Sequence, residues 1–238
     1  MRNAQLDSIL AKKLSTFIPL APNELKWLAE IQSKPLTVKR GSELVHEGQT
    51  GHKAFVVQAG WACSYKDLPN GRRQIISFPI AGDCVGLRII LLRTAAHSFS
   101  ALTDVVVSPV EGERILRTIT DFPRLAAALL WAASRDEAMV VEHLVNLGRR
   151  SAIERTAHFF LELAERLTLV GLAKEQEFKC PLSQHDLADA LGLTAIHVNR
   201  VLRQLREQDL LTFQQGGVKI HDLSRLRKLA GFQGGYLT

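Results

Sequence analysis

From Thr194 to Arg206 the chain reads Thr-Ala-Ile-His-Val-Asn-Arg-Val-Leu-Arg-Gln-Leu-Arg, with three arginines, an asparagine and a histidine and no acid among them. These are side chains for reading nucleic acid. A guanidinium fork fits the O6 and N7 acceptors of guanine or a pair of phosphate oxygens, and a carboxamide fits the N6 and N7 edge of adenine. Laid on a helix at about 100° per residue, Val198, Val201, Leu202 and Leu205 gather on one side. Ile196, Asn199, Arg200 and Arg203 fall on the other. Ile196 is apolar yet outward in the first turn, which suits a thymine methyl better than water. A solvated basic face on an ordinary helical hairpin would also carry arginines, so the neighbouring elements must separate the two readings.

They favour DNA. Residues 183–206 read as two short helices broken at Gly192, with Leu187, Ala188 and Leu191 on the inner face of the first. Small Ala188 allows a close crossing, and Gly192 permits the backbone of a tight turn. Ser183 with Asp186 three residues on, after Pro181, has the form of a capping box, and Thr194 is placed to cap the second helix. After that helix, Gln208–Phe213 and Val218–Ile220 flank Gln214-Gln215-Gly216-Gly217, the pattern of a two-strand hairpin. A hairpin in this position is a wing, with Lys219 expected near phosphate. The expected DNA contacts are Ser183, Gln184, Thr194, Ile196, His197, Asn199, Arg200, Arg203 and Lys219. Asp222–Leu226 opens a closing helix.

Something must carry this reader. A long helix is expected from Pro123, with Leu125, Leu129, Ala132, Asp136, Met139, Val140, His143 and Leu147 along one stripe at heptad-like spacing. The stripe suits a seam with an identical helix through Leu125, Leu129, Ala132, Met139, Val140, His143 and Leu147; packing against the chain's own β domain is the other reading. Gly148-Arg149-Arg150 closes the helix and Ser151–Glu154 is a capping box opening the next, which makes 148–151 the expected hinge. Upstream, Leu6–Ile31 reads as helical around a Pro19–Pro22 break. Pro35 to about Val110 reads as short strands such as Ala54–Val57 and Gln74–Phe78 between glycine turns. The chain therefore divides into a β-rich unit with N-terminal helices over 1–122, a helix over 123–148 and a winged helix-turn-helix over 149–238, an α+β class.

Composition agrees without deciding. The 238 residues suffice for two modest cores, and a formal net charge of +6 favours a polyanionic partner. From Arg149 onward there are 13 Lys and Arg against 10 Asp and Glu, so the excess is not confined to the DNA reader. Cys63, Cys84 and Cys180 are odd in number and without a Cys-x-x-Cys pair, which points to reduced thiols in a cytoplasm. No metal site is expected from them. No signal-peptide core or membrane-length apolar run is evident.

At this point the chain closely resembles the family of the cyclic-AMP receptor protein and the fumarate–nitrate reductase regulator. The resemblance rests on Pro181–Ala188, Gly192-Leu193-Thr194, His197–Arg200, Gly148-Arg149, Glu154-Arg155, Gly71-Arg72, Phe78 and Gly82–Gly86. It implies a cupin-like β-roll sensor, a dimerising helix, a winged helix-turn-helix on palindromic double-stranded DNA, and RNA polymerase as a partner. It places the effector pocket around Gly86, Leu87, Arg88, His97 and Ser98. Nucleotide-binding members follow the glycine with a glutamate for the ribose hydroxyl and hold the phosphate with an arginine and a hydroxyl residue; Leu87, Ala95 and Ala96 stand at those positions. A buried phosphate without a counter-charge costs several kcal/mol, so cyclic AMP is not expected. The base-facing hydroxyls from the long helix are replaced by Val140 and Val141. The clustered N-terminal cysteines of the family's iron–sulfur sensors are missing as well. In the recognition helix, Ile196 replaces the family's glutamate while Arg200 keeps its arginine.

Other classes compete. A haem sensor would need Cys84 or His97 as a ligand. A cupin-like metal enzyme would draw on His46, Glu47, His52 and His97, but the His-x-His pair of that fold is missing. The helix-turn-helix of an interaction module would contact protein. Cys180, next to Pro181 and expected near the DNA backbone, is the candidate redox switch, against an inert half-buried thiol.

Overall fold

A computed structural model describes residues 8–51, 53–174 and 176–237; Leu6 and His52 lie outside them. In chain order the elements are α1 (Ile9–Leu14), α2 (Pro22–Ile31), β1 (Leu36–Val38), β2 (Glu43–Val45), β3 (Lys53–Ala59), β4 (Ala62–Asp67), β5 (Arg73–Ser77), β6 (Cys84–Val85), α3 (Leu87–Leu92), β7 (Ser98–Ala101), β8 (Val105–Glu111), α4 (Gly112–Asp121) and α5 (Pro123–Arg149). There follow α6 (Ala152–Leu169), β9 (Ala173–Lys174), β10 (Glu177–Lys179), α7 (Gln184–Leu191), α8 (Ala195–Glu207), β11 (Leu211–Gln214), β12 (Gly217–Ile220) and α9 (Leu223–Ala230), then a 3-10 turn over Gly234–Leu237. None of the described helices is long and apolar enough to cross a membrane.

The chain forms two compact units, residues up to Lys66 with Ser77–Ser134, and Asp67–Ile76 with Arg135–Thr238. The division falls inside α5 rather than at its ends. Asp67–Ile76, which holds the turn after β4 and most of β5, groups with the C-terminal part.

The first unit is a roll of antiparallel sheets ordered β1-β8-β3-β6 and β2-β7-β4-β5. Alternation along β3 and β8 turns Val57, Val105 and Val107 inward, where they join Val45, Val85, Ile89, Ala95, Phe99 and Ala101 in one apolar cluster. Gly60 makes the turn into β4 with φ +87, and a Cβ there would sit 2.3 Å from the Asp104 carbonyl, so a side chain is excluded. A second cluster joins Leu10, Leu14, Trp27, Leu28 and Ile31 of α1 and α2 to Val56, Val110 and α5. Helix α4 was not anticipated from sequence. Its Thr118 hydroxyl accepts from the Trp27 indole at 2.8 Å, satisfying the polar end of a buried ring. Lys13 and Asp83 form a buried ion pair at 2.6 Å, and Asp83 also accepts from the Ile80 amide.

Helix α5 corrects the seam expectation. Leu125 is fully buried and, with Ala132 and half-buried Leu129, belongs to the first unit's own core. Met139 is buried too. His143 bonds within its own chain, to the Ile76 carbonyl and the Glu162 carboxylate. That stripe is therefore internal over most of its length; only Val140 and Leu147 of it stand exposed. A second stripe lies open: Ala127, Leu130, Ser134, Glu137, Val141, Leu144 and Gly148 are all exposed and spaced three and four apart. The helix is apolar on two sides.

Candidate nucleic-acid interface

Helix α7 starts as its sequence requires. The Ser183 amide donates to Asp186 at 2.7 Å and the Asp186 amide to the Ser183 hydroxyl at 3.1 Å, a reciprocal box that satisfies two orphan donors. It ends at Gly192 in the left-handed region (φ 61, ψ 40), where a Cβ would lie 3.1 Å from Leu147. Thr194 then caps α8 by accepting from the His197 amide at 3.2 Å. Leu187, Ala188 and Leu191 meet Val198, Val201 and Leu205 as buried residues, and Leu202 is half-buried. These contacts fix which face of α8 points out.

That outer face is the expected one. Ile196 is 85% exposed, and Asn199, Arg200 and Arg203 are exposed beside it. Arg200 Nη2 lies 3.0 Å from His197 Nε2, and the Asn199 amide donates to Gln184 at 3.3 Å, so the first turns of α7 and α8 hold each other's polar ends. Arg203 is different. Its Nε donates to Glu207 at 2.8 Å, one turn on, which neutralises much of its charge toward a partner and holds its guanidinium further into the charged range.

The wing belongs to a larger sheet than expected, β11-β12-β10-β9. Gln215 and Gly216 at its turn both have positive φ, 51 and 72, the twist a two-residue hairpin loop demands. The strands β9 and β10 are too short to show periodicity and were not anticipated. Lys219 is not at the tip. It lies mid-strand opposite Glu177, with its ammonium 2.5 Å from that carboxylate, so it is a cross-strand pair more than a phosphate contact. The wing turn and the start of α7 instead enclose an open cleft of 620 Å³ lined by Ser183, Gln184, Gln214, Gln215 and Gly216 among others.

Cys180 falls on the side of the inert thiol rather than the redox switch. Its side chain is fully buried and its thiol is pushed up to about 12 by that burial, opposed only by the Leu182 backbone. The thiolate that peroxide attacks is absent near neutral pH, and Cys180 serves as a core residue whose amide bonds the wing at Gly216.

In the first unit the expected pocket residues differ in exposure and in partners. Gly86 takes the left-handed conformation at the start of α3, Leu87 is half-buried and Arg88 is exposed. Ser98 is buried and accepts from the Glu47 amide at 2.9 Å. His97 is half-buried beside the Phe99 ring, and burial, then the charge of Arg88, hold it below the ordinary histidine value. Ala95 lies in the apolar cluster. The cupin-type candidates are engaged elsewhere, His46 with Glu43 at 2.7 Å and Glu47 with Lys66 at 2.6 Å. Among the described residues no three His, Cys, Asp or Glu side chains come together as a metal site.

Three comparisons bear on this geometry. Residues 154–229 match the model of the Crp-like helix-turn-helix domain and residues 35–121 that of the cyclic nucleotide-binding domain. The chain is 35% identical to the nitrogen fixation regulation protein FixK of Bradyrhizobium diazoefficiens over 168 residues, 70% of this chain and 69% of that one. It is 33% identical to the transcriptional activatory protein AadR of Rhodopseudomonas palustris over 190 residues, 79% of this chain and 77% of the relative. The solved structure of FixK2 from Bradyrhizobium japonicum superposes with a TM-score of 0.75 at 28% identity, covering 84% of this chain and 98% of that one.

Proposed function

The chain belongs to the family of the cyclic-AMP receptor protein and the fumarate–nitrate reductase regulator, DNA-binding regulators of transcription, and we propose that it works as a homodimer placing two copies of α8 in successive major grooves of a palindromic site. The observation that carries this is the outer face of α8. Ile196, Asn199 and Arg200 stand free of the core while caps and a left-handed glycine turn fix their orientation. Ser183, Gln184, Thr194 and His197 lie along the same helix starts, where backbone N–H groups favour phosphate. Lys219 and Arg203, each already paired with a carboxylate, are the weaker contributors to this face. RNA polymerase is the expected second partner, and the assigned location is the cytoplasm, in keeping with DNA as partner and three free thiols. The function is binding, with no catalytic step assigned.

Selection of bound sequences from random DNA by the full chain tests the reading. An inverted repeat with half-site centres about 34–36 Å apart is expected. Uniform, sequence-independent recovery would overturn it.

The effector reading is that the roll does not hold cyclic AMP in the family's usual way. A buried cyclic phosphate needs a cation, whereas Leu87 and Ala95 are apolar and Arg88 is exposed. A ligand at about 100 times its Kd would stabilise the fold by about 2.7 kcal/mol. Cyclic AMP is therefore expected to leave the melting temperature unchanged, and a saturable upward shift in a thermal scan would refute this.

A further inference from the structure

The junction of α5 and α6 buries an unusual number of polar groups. Asn146, His158, Glu162 and Arg166 are buried, and His143 sits against them. His143 is the member with two demands on it. Its Nδ1 lies 3.1 Å from the Ile76 carbonyl, and its Nε2 lies 3.0 and 3.1 Å from the two Glu162 oxygens. A carbonyl and a carboxylate only accept, and a neutral imidazole has only one N–H to give. Both contacts are filled only by the imidazolium.

We propose that His143 is a proton-operated latch, which as an imidazolium ties strand β5 at Ile76 to α6 and as a neutral ring lets go of the Ile76 carbonyl. The released side follows from what else faces Glu162. The Tyr236 hydroxyl donates to it at 3.1 Å and Arg166 stands 3.9 Å away, so the carboxylate keeps partners, and a neutral ring retains its charge-assisted bond there. Among the described residues, no other hydrogen bond to the Ile76 carbonyl is found outside the strand ladder.

The remaining groups of the cluster leave His143 as its proton carrier. From the link between α5 and α6, Arg150 donates to Glu142 at 3.0 Å and to Asn146 at 2.7 Å. From α6, His158 Nδ1 accepts from the Asn146 amide at 3.1 Å, which leaves its Nε2 hydrogen toward Glu142 at 3.4 Å and the ring neutral. Burial first, then the Arg150 charge, hold His158 down to about 4. Burial also pulls His143 down. Glu162 and the Ile76 carbonyl outweigh it, against Arg166, and hold the ring above the ordinary value.

The two histidines then act on stability with opposite sign. His143, raised in the fold, stabilises fully below about pH 6.5, and that stabilisation is lost as pH rises through its folded value. His158, lowered in the fold, loses its stabilisation as pH falls from about 6.5 toward 4. Alkaline titration therefore isolates His143.

Ring nitrogen NMR of the unmodified protein near pH 7 tests the first half. Both His143 nitrogens are expected to carry protons, and a neutral tautomer there overturns the proposal whether or not any variant folds. The second half is read at the Ser77 amide, which shares the Ile76 peptide group. Its resonance is expected to titrate with the His143 ring, and the titration to vanish in His143→Gln. The melting temperature of the wild type should fall between about pH 6.5 and pH 9 by roughly 2–4 °C more than that of His143→Gln. A Ser77 titration or an alkaline melting profile unchanged by the substitution overturns the latch.

Discussion

Leu144→Glu combined with Leu130→Glu turns the protein into a folded monomer and costs it about 100-fold or more in affinity for an inverted-repeat site. The reason is the open stripe of α5. Leu130 and Leu144 are 69% and 71% exposed, with Val141 between them on the same face, and isolated solvent exposure of that much apolar helix is unfavourable. In the proposed homodimer the stripe of each copy would cover that of the other, and burial of each leucine would contribute about 1.5–3 kcal/mol. Charges placed there abolish the seam without touching the core of either unit. Joined recognition helices bind the second half-site as an intramolecular step, and separated ones do not. Sedimentation and a gel shift on the selected site check both parts. The internal stripe gives the control: Leu125→Glu, at a fully buried position, should unfold the first unit and leave no soluble monomer. A Leu130/Leu144 double variant that stays dimeric and binds with full affinity would place the seam elsewhere.

That pair of outcomes also marks where sequence reading stops. Capping boxes, the glycine turn and the inner face of α8 are local, within a few residues, and Ser183, Thr194, Gly192, Val198 and Val201 all stand where their types require. The face of α5 is not local. A heptad-like stripe through Leu125 and Met139 is equally what a helix packing on its own chain needs, and only the fold shows that the stripe through Leu130 and Leu144 is the open one. Lys219 and Cys180 stand out in the sequence by nearness to the DNA reader, but the cross-strand pairing with Glu177 and the burial of the thiol depend on residues that nearness does not reveal. By spacing alone His143 is one more member of the expected seam. Its partners come from residues 76 and 162, too far along the chain for periodicity to bring together. The strands β9 and β10 hold two and three residues, below the length at which alternation is visible.

Arg200→Ala costs roughly 1–3 kcal/mol on the selected site, about 5- to 150-fold, and relaxes the preference at one base pair of each half-site. Arg200 is the arginine of α8 whose partner is a neutral acceptor: His197 Nε2 takes one hydrogen from Nη2, leaving the rest of the fork for a guanine edge. Arg203 is paired with Glu207, so Arg203→Ala should weaken all sequences alike and reduce the salt slope by less than about one ion. The first turn supplies the complementary test. Ile196, 85% exposed, offers a methyl-bearing surface where the family's glutamate would accept from a cytosine amine. Thymine is therefore expected at the position it faces, and Ile196→Glu should shift selection there toward a pair offering that amine. Selection repeated on the three variants separates base reading from charge. Motifs unchanged in both Arg200→Ala and Ile196→Glu would mean that α8 does not lie in the major groove. A changed motif in Arg203→Ala alone would mean that the reading face is rotated by one turn toward its C-terminal end.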